Sequence, residues 1–349
     1  TSLTDEALEG TYPSILKNAG YEIGFIGKYG IGDPDKQPKN LFDFWKGVNK
    51  HQPDYENINK KGDTIHYTDM IENDIMTFLD KEKNKPFCLS VSFKAPHAQD
   101  NDARQFISKQ SLKGYYKNTI IPIPETAHSN YLDSLPAFLS SDKNIGRQRW
   151  KQRFSNPEQY QEMVKNYYRL ISGVDLVVGN LMKKLKEENL DKNTVIIFMG
   201  DNGMYLGEHG LAGKWFGHEE SIRVPLIIYD PRKNGNRDIE KREDIALNID
   251  VAPTILGIVG IDKPPTMQGV NLLSSNKNEN KNRDYFFYEH TFLGSPKLPK
   301  VEGVVGPKLK YLNYIEYNYE QLFDLENDPH EKYNLINNSK YTNKLDSLR

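Results

Sequence analysis

Four short apolar runs limit what this chain can become. They lie at residues 21–26, 86–93, 194–199 and 224–229, each bounded by polar or turn-forming sequence. Within them apolar residues largely follow one another instead of alternating with polar ones, the pattern of a strand covered on both faces. Such a sheet needs helices above and below it, and helical patterns lie between the runs. The clearest opens at Asn156, with Pro157 in the first turn and Gln159 three positions on as a capping-box partner. Apolar residues then recur at Tyr160, Met163, Tyr167, Leu170, Val174, Val177, Leu181 and Leu185, steps that draw one long amphipathic helix ending near Asn189. Shorter helices fit 13–19, stopped by Gly20, and 251–259, stopped by Gly260. This alternation predicts an α/β fold with a largely parallel central sheet flanked by helices.

The chain changes character after about residue 262, where Asn, Lys, Pro and Tyr accumulate and short strands fit 285–288 and 310–314. We expect an α/β domain over 1–261 and a smaller, partly antiparallel subdomain over 262–349, an organisation suited to 349 residues. Residues 100–153 show weak periodicity and read as a long insertion over the sheet, of the kind that shapes substrate pockets.

Composition removes several classes of function. A formal charge of −2 lacks the basic excess of a nucleic-acid binder. No run is apolar and long enough to span a bilayer. The sole cysteine, Cys88, rules out an internal disulfide framework, and its apolar neighbours mark it as a buried structural thiol. The first residues lack both a Met and the basic-then-apolar pattern of a secretion signal, so the chain is expected to start inside a longer one. Oligomeric state leaves no mark in the sequence.

Chemistry concentrates after the run at 194–199, in Gly200-Asp201-Asn202-Gly203. Ligands of open α/β sheets collect at the carboxyl ends of strands. There Asp201 and Asn202 offer two hard oxygen ligands, suited to Ca2+ or, less well, Mg2+. The same residues make an excellent turn, and alone they leave both readings open. The neighbouring segments add specificity: Leu206-Gly207-Glu208-His209-Gly210, then Gly213-Lys214-Trp215, then Glu219-Glu220-Ser221-Ile222-Arg223-Val224-Pro225.

In this order and spacing these segments resemble the sulfatase family, within the alkaline-phosphatase-like superfamily. Its members carry a metal-binding Asp-Asn or Asp-His, a Gly-Glu-His-Gly, a Lys, and Glu-Ser-Ile-Arg-Val-Pro leading into a strand. The likeness extends to Gly20-Tyr21, to Gly27-Lys28-Tyr29-Gly30-Ile31-Gly32, and to Ser92-Phe93-Lys94-Ala95-Pro96-His97. It continues in Asp250-Val251-Ala252-Pro253-Thr254 with Gln268-Gly269, and in Leu322 to Pro329 with Glu331, Asn334 and Leu335. The resemblance implies an alkaline-phosphatase-like fold and a sulfuric ester hydrolase. It implies Lys28 beside the nucleophile and metal, and Lys214 and His97 on the sulfate, one of them near the leaving oxygen. It implies Asp201 and Asn202 on a metal, usually Ca2+. These residue types fit the chemistry, because cations and a metal must stabilise negative sulfuryl and leaving-group oxygens. Glu208 and His209 read equally as supporting or plain loop residues.

The family's nucleophile is a Cys or Ser in Cys/Ser-x-Pro-x-Arg, oxidised to formylglycine, and an Asp pair near the N-terminus supplies further metal ligands. Both precede the Gly-Lys motif and neither occurs in this sequence, so we expect a fragment of an active enzyme that is inactive alone. Gly30 stands where the family usually has a His. The rival readings are a non-catalytic binder of sulfated glycans and a phosphatase or phosphodiesterase of the same fold. The second is weakened by the few histidines, eight in all, against the His-rich two-metal sites of those enzymes. A sulfated carbohydrate is the expected substrate, with Tyr205, Trp215 and Phe216 available to stack on a sugar. The basic stretch 147–153 is either a polysaccharide contact or a solvated helix face. A periplasmic or secreted location is expected from such relatives.

Overall fold

Each of the four apolar runs forms a strand. The computed structural model describes residues 3–33, 35–48, 52–232, 241–274, 283–291 and 298–349. In chain order the elements that matter here are α1 (Tyr12–Asn18), β1 (Glu22–Lys28), β2 (Phe44–Val48), α2 (Tyr67–Leu79), β3 (Phe87–Ser92), α3 (Ile145–Phe154), α4 (Pro157–Glu187) and β4 (Ile196–Met199). They continue with α5 (Glu219–Ile222), β5 (Leu226–Tyr229), α6 (Val251–Ile258), β6 (Phe286–His290), β7 (Val301–Val305), β8 (Leu309–Tyr314) and β9 (Tyr319–Asp324).

Strands β2, β1 and β3 pair in that order, all parallel. Successive side chains of β1 point to opposite faces, and each face meets helices. Ile26 packs with Ile71, Ile75 and Phe78 of α2 and with Val164, Leu170 and Val177 of α4. Ile23 packs with Leu16 of α1 and Leu256 of α6. Full burial of each aliphatic side chain contributes roughly 1.5–3 kcal/mol. Cys88 lies half-buried on the α1/α6 side, where burial pushes its thiol up to about 11, an inert setting.

The long helix begins as its sequence requires. Asn156 Oδ1 accepts from Gln159 N at 2.9 Å, with Pro157 next to it. Gln159 Oε1 returns not to the cap residue but to Ser155, accepting from Oγ at 2.7 Å and from N at 3.3 Å. Asn189, with φ +57°, turns the chain out of the helix.

Two expectations fail in β4 and β5. These strands pair with each other antiparallel, Met199 opposite Leu226, so the parallel part of the sheet is the β2-β1-β3 set. A parallel return needs a crossover of a dozen or more residues, usually a helix. Between Met199 and Leu226 the chain spends its length on turns and the four-residue α5, and it returns alongside β4. Nor are both faces covered: Phe198, Ile227 and Tyr229 are 37%, 60% and 47% exposed.

The C-terminal strands β6, β7, β8 and β9 form a meander that is antiparallel throughout, where only part was expected to be. Val301, Leu312, Tyr314 and Phe323 of this sheet share a second core with Leu139, Tyr205, Leu211 and Phe216. The insertion at 100–153 buries Phe106, Ile107 and Ile121 in the main core and Leu139 in the second. Its basic stretch lies within α3 and divides between two faces, Arg147 and Arg153 buried and Gln148, Lys151 and Gln152 exposed. Arg153 Nη2 reaches Asp100 Oδ1 at 2.8 Å and its Nε donates to Gln105 Oε1 at 2.9 Å. Arg147 donates to Gly210 O, and Lys151 pairs with Asp142 at 2.6 Å. Arg147 and Arg153 are thus structural, while the Lys151 side is a solvated helix face. No helix among the described residues is long and apolar enough to cross a membrane.

Candidate active site

Lys28 is the last residue of β1, at the carboxyl edge of the parallel strands. Its position depends on Gly27, which adopts φ +99° and lies so close to β3 that a Cβ would stand 2.0 Å from Ser92 O. Only glycine permits both.

His97 follows β3 in a turn fixed by its backbone. Tyr55 Oη donates to His97 O at 2.7 Å, and His97 N donates to Lys94 O at 2.8 Å. The ring donates from Nδ1 to Ala98 O at 2.6 Å, which leaves Nε2 with its lone pair, 3.4 Å from Gln52 Nε2. Beneath the turn Lys94 is buried, donating to Pro53 O at 2.5 Å and to Gln99 Oε1 at 3.1 Å, with its ammonium 4.2 Å from the Tyr55 ring centre. Burial brings that ammonium down to about 8.

Asp201 and Asn202 do form a turn, and the turn carries their side chains to the end of β4. Asp201 Oδ1 accepts from Asn202 N at 2.9 Å, and Asn248 Nδ2 donates to Asp201 O at 3.0 Å. Gly203 N donates to Ser221 O of α5 at 2.8 Å. Lys214 Nζ donates to Asn202 Oδ1 at 2.7 Å. The next residue, Trp215, has φ +88°, a strained conformation for a bulky side chain of the kind that gathers at functional sites.

Electrostatics ties these pieces together. Lys28 is held below the ordinary lysine range, first by burial and then by Lys214, with Asp201 pulling the other way. His97 is also lowered, first by burial and then by Lys214 and Lys28, against the Ala98 carbonyl and Asp100. Lys28, His97, Lys214, Asp201 and Asn202 thus converge on one region. Lys214 Nζ is hydrogen-bonded to Asn202 Oδ1, and Lys28 and His97 both feel the Lys214 charge, so cationic groups adjoin the two oxygen-bearing side chains, residue types suited to an anion and to a hard cation.

The oxygen donors suit Ca2+ in kind, but they supply two side chains of a shell that takes six to eight ligands. Among the described residues no group of three or more His, Cys, Asp or Glu is placed to hold a metal. Asp201 and Asn202 could thus supply no more than part of such a shell, and Asn202 Oδ1 is held by Lys214 Nζ.

Other candidates fall elsewhere. His209 stacks on His218 at 4.3 Å, and Glu208 Oε2 accepts from Leu206 N at 2.5 Å, so both serve the loop. Tyr205 and Phe216 are fully buried in the second core and cannot reach a sugar; Trp215 remains half-buried. Gly30 has φ +66°, and a Cβ there would find only the Lys28 stem, at 3.7 Å. Sequence reasoning missed Gln52, Asn248 and His290. The first two carry no motif. His290 ends β6, and its ring is lowered by burial and by Lys214; its strand was legible, its approach to Lys214 was not.

An α/β sheet with cations and oxygen ligands at its carboxyl edge is the setting of an enzyme that works on anionic esters. The chain belongs to the sulfatase family, whose model matches residues 9–261. The model of the N-sulphoglucosamine sulphohydrolase C-terminal region matches residues 207–349. An N-acetylglucosamine-6-O-sulfatase of Bacteroides thetaiotaomicron is 26% identical over 97% of this chain and 70% of its own length. Three further curated relatives are covered over 57%, 24% and 36% of their length. A solved structure of a protein in complex with its substrate D-glucosamine-2-N,6-O-disulfate superposes with a TM-score of 0.75 at 24% identity, over 97% of this chain and 79% of the other. A phosphonate monoester hydrolase from Silicibacter pomeroyi gives the same TM-score at 17% identity, over 96% and 77%. The alkaline-phosphatase-like fold is thus shared by sulfatases and phosphonate hydrolases.

Proposed function

We propose that the protein to which this chain belongs hydrolyses a sulfate ester on a carbohydrate, with Ca2+ in its site. The observation that carries this reading is the convergence of Lys28, His97 and Lys214 beside the Asp201–Asn202 turn. A sulfate ester presents a compact, singly charged group, and the ammonium groups of two lysines suit its oxygens in sign. Lys28 and Lys214 hold the sulfuryl oxygens. His97, with Nδ1 committed to Ala98, would have to carry a second proton, on Nε2, to serve as donor to the leaving oxygen. Asp201 would offer oxygens to Ca2+, as would Asn202 once its Oδ1 is released from Lys214, and the ion would supply positive charge against the sulfate oxygens. These 349 residues contain no Cys/Ser-x-Pro-x-Arg. The likeness to an N-acetylglucosamine-6-O-sulfatase and to a fold captured with a sulfated glucosamine supports an amino-sugar sulfate as substrate. A polysaccharide of that kind is met outside the cytoplasm, in the periplasm or beyond.

The test uses the full-length protein and measures release of sulfate from 6-O- and N-sulfated glucosamine, from an aryl sulfate, and of product from a phosphonate monoester. Sulfate release from the sugars with Ca2+ present is expected, and Asp201→Ala should weaken Ca2+ binding by about a hundredfold in calorimetry, as removal of a charged ligand does. Turnover of the phosphonate alone, or unchanged Ca2+ affinity in Asp201→Ala, would overturn the assignment. Binding of the sugars without turnover would support the glycan-binding alternative.

A further inference from the structure

Behind the Lys214 loop lies a buried charge cluster that the proposed reaction does not use. Lys310 of β8 is completely buried, with Nζ 2.7 Å from Glu219 Oε1 and 2.8 Å from Glu331 Oε1. These are ion pairs whose angles fall short of aligned hydrogen bonds. Glu331 Oε2 accepts from Glu219 N at 2.6 Å, so one ammonium and two carboxylates fasten the first residue of α5 to the C-terminal sheet. Glu331 holds φ +50°, a left-handed conformation that a non-glycine residue keeps only where its surroundings impose it. The neighbouring His218 is also fully buried; its Nδ1 accepts from Tyr205 Oη at 2.7 Å.

The other end of α5 carries the turn of the candidate site, because Ser221 O accepts from Gly203 N. The links therefore run from Lys310 to Glu219, through α5 to Gly203, to Asn202, and from Asn202 Oδ1 to Lys214. An ammonium buried this deeply is a poor source of stability, since apolar side chains of similar volume often do as well or better. Its use lies in fixing one arrangement of the groups around it.

We infer that Lys310, Glu219 and Glu331 are positioning residues, a clasp by which the C-terminal sheet sets the place of the Asp201–Asn202 turn and of Lys214. The inference rests on the proposed function of that site.

The experiment compares full-length wild type with Lys310→Met, Glu219→Ala and Glu219→Gln. In Lys310→Met kcat for sulfate release should fall about tenfold or more while KM stays within about threefold, and the Ca2+ dissociation constant should rise about fivefold. Glu219→Gln keeps an acceptor for Lys310 and should recover most of the rate that Glu219→Ala loses. A folded Lys310→Met with kcat and Ca2+ affinity within about twofold of wild type, whatever its melting temperature, overturns the clasp. If Lys310→Met does not fold, the Glu219 pair decides: equal rates for Ala and Gln overturn it, rescue by Gln upholds it. A wild type that neither releases sulfate nor binds Ca2+ removes the functional reading instead. The clasp is then judged by amide exchange over 201–215, which should quicken about tenfold in Lys310→Met or Glu219→Ala and is refuted if unchanged.

Discussion

At the scale of single residues, the candidate site was legible only where a motif surrounded the residue. Lys28, His97, Asp201, Asn202 and Lys214 stood out through their glycine- and proline-bracketed neighbours, and the fold brings all five to one region. Gln52 and Asn248 reach the same region from loops, by distances that no local pattern encodes. The aromatic residues show the opposite error: Tyr205 and Phe216 lie near Lys214 in sequence, yet their apolar surface draws them into the second core. His97 permits a prediction with a definite sign. Burial and two lysines hold it below its ordinary value near 6.5, so the folded state resists taking up a proton that the unfolded state accepts. Its effect on stability is absent above about pH 6.5 and becomes destabilising as pH falls below that value. His66, His218 and His290 are lowered chiefly by burial and act in the same direction. Glu208 and Glu331 are raised by burial, Glu331 to about 7, and act in the opposite direction over the same range, so the prediction is a difference: from pH 7 to pH 5 the melting temperature of wild type should fall relative to that of His97→Asn. Identical slopes in the two proteins would show that His97 does not titrate as its surroundings require.

At the scale of elements, the strands at the four apolar runs were readable, as were α1, α4 and α6 from their period and stops, whereas β2 and α2 were not. Strand direction was not, because it depends on the connection: the run at 224–229 is a strand, but only the short path from Met199 makes it antiparallel to β4. β7 and β9 escaped notice for a different reason. Val301–Val305 is interrupted by Gly303, whose Cβ would stand 2.2 Å from Tyr311 O, and Tyr319–Asp324 mixes Glu320 and Gln321 with its apolar residues. Each is held by its partners in the meander more than by its own pattern. The element whose placement matters most to the site is α5. A Cβ on Gly203 would lie 2.1 Å from Glu220 O and 3.0 Å from Arg223 O, both backbone atoms that cannot swing aside. Gly203→Ala should push α5 off the turn and cost about 2–3 kcal/mol in urea unfolding, in the range of overpacked sites. Gly179 in the middle of α4 has nothing among the described residues within 4 Å of its missing Cβ, and Gly179→Ala should instead stabilise by about 0.5–1 kcal/mol. Equal effects from the two substitutions would mean that the close approach at Gly203 is not a constraint.

At the scale of the whole molecule, a division near residue 261 follows the change in composition but not the packing. The second core draws Leu139, Tyr205, Leu211 and Phe216 from one side of that division and Leu298, Val301, Leu312, Tyr314 and Phe323 from the other. The charge cluster crosses it as well, with Glu219 on one side and Lys310 and Glu331 on the other. Composition reports what a segment is made of, while a core is made by segments meeting, so a boundary drawn from composition could not see this. The loop from Tyr205 to Phe216, which carries Lys214, is accordingly built on the C-terminal sheet as much as on β4. A chain ended at residue 261 would leave Tyr205, Leu211 and Phe216 without their cover and Glu219 without its cation. Such a patch of large apolar side chains favours aggregation over a soluble fold. Residues 1–261 expressed alone should accumulate in the insoluble fraction, or bind a hydrophobic dye with loss of near-ultraviolet circular dichroism. Restoring 262–349 as a separate chain during refolding should recover soluble material. A soluble 1–261 segment with sharp cooperative unfolding and no dye binding would show instead that the α/β part folds by itself. The C-terminal sheet would then be an attachment, and the site loop would owe its shape to β4 and α5 alone.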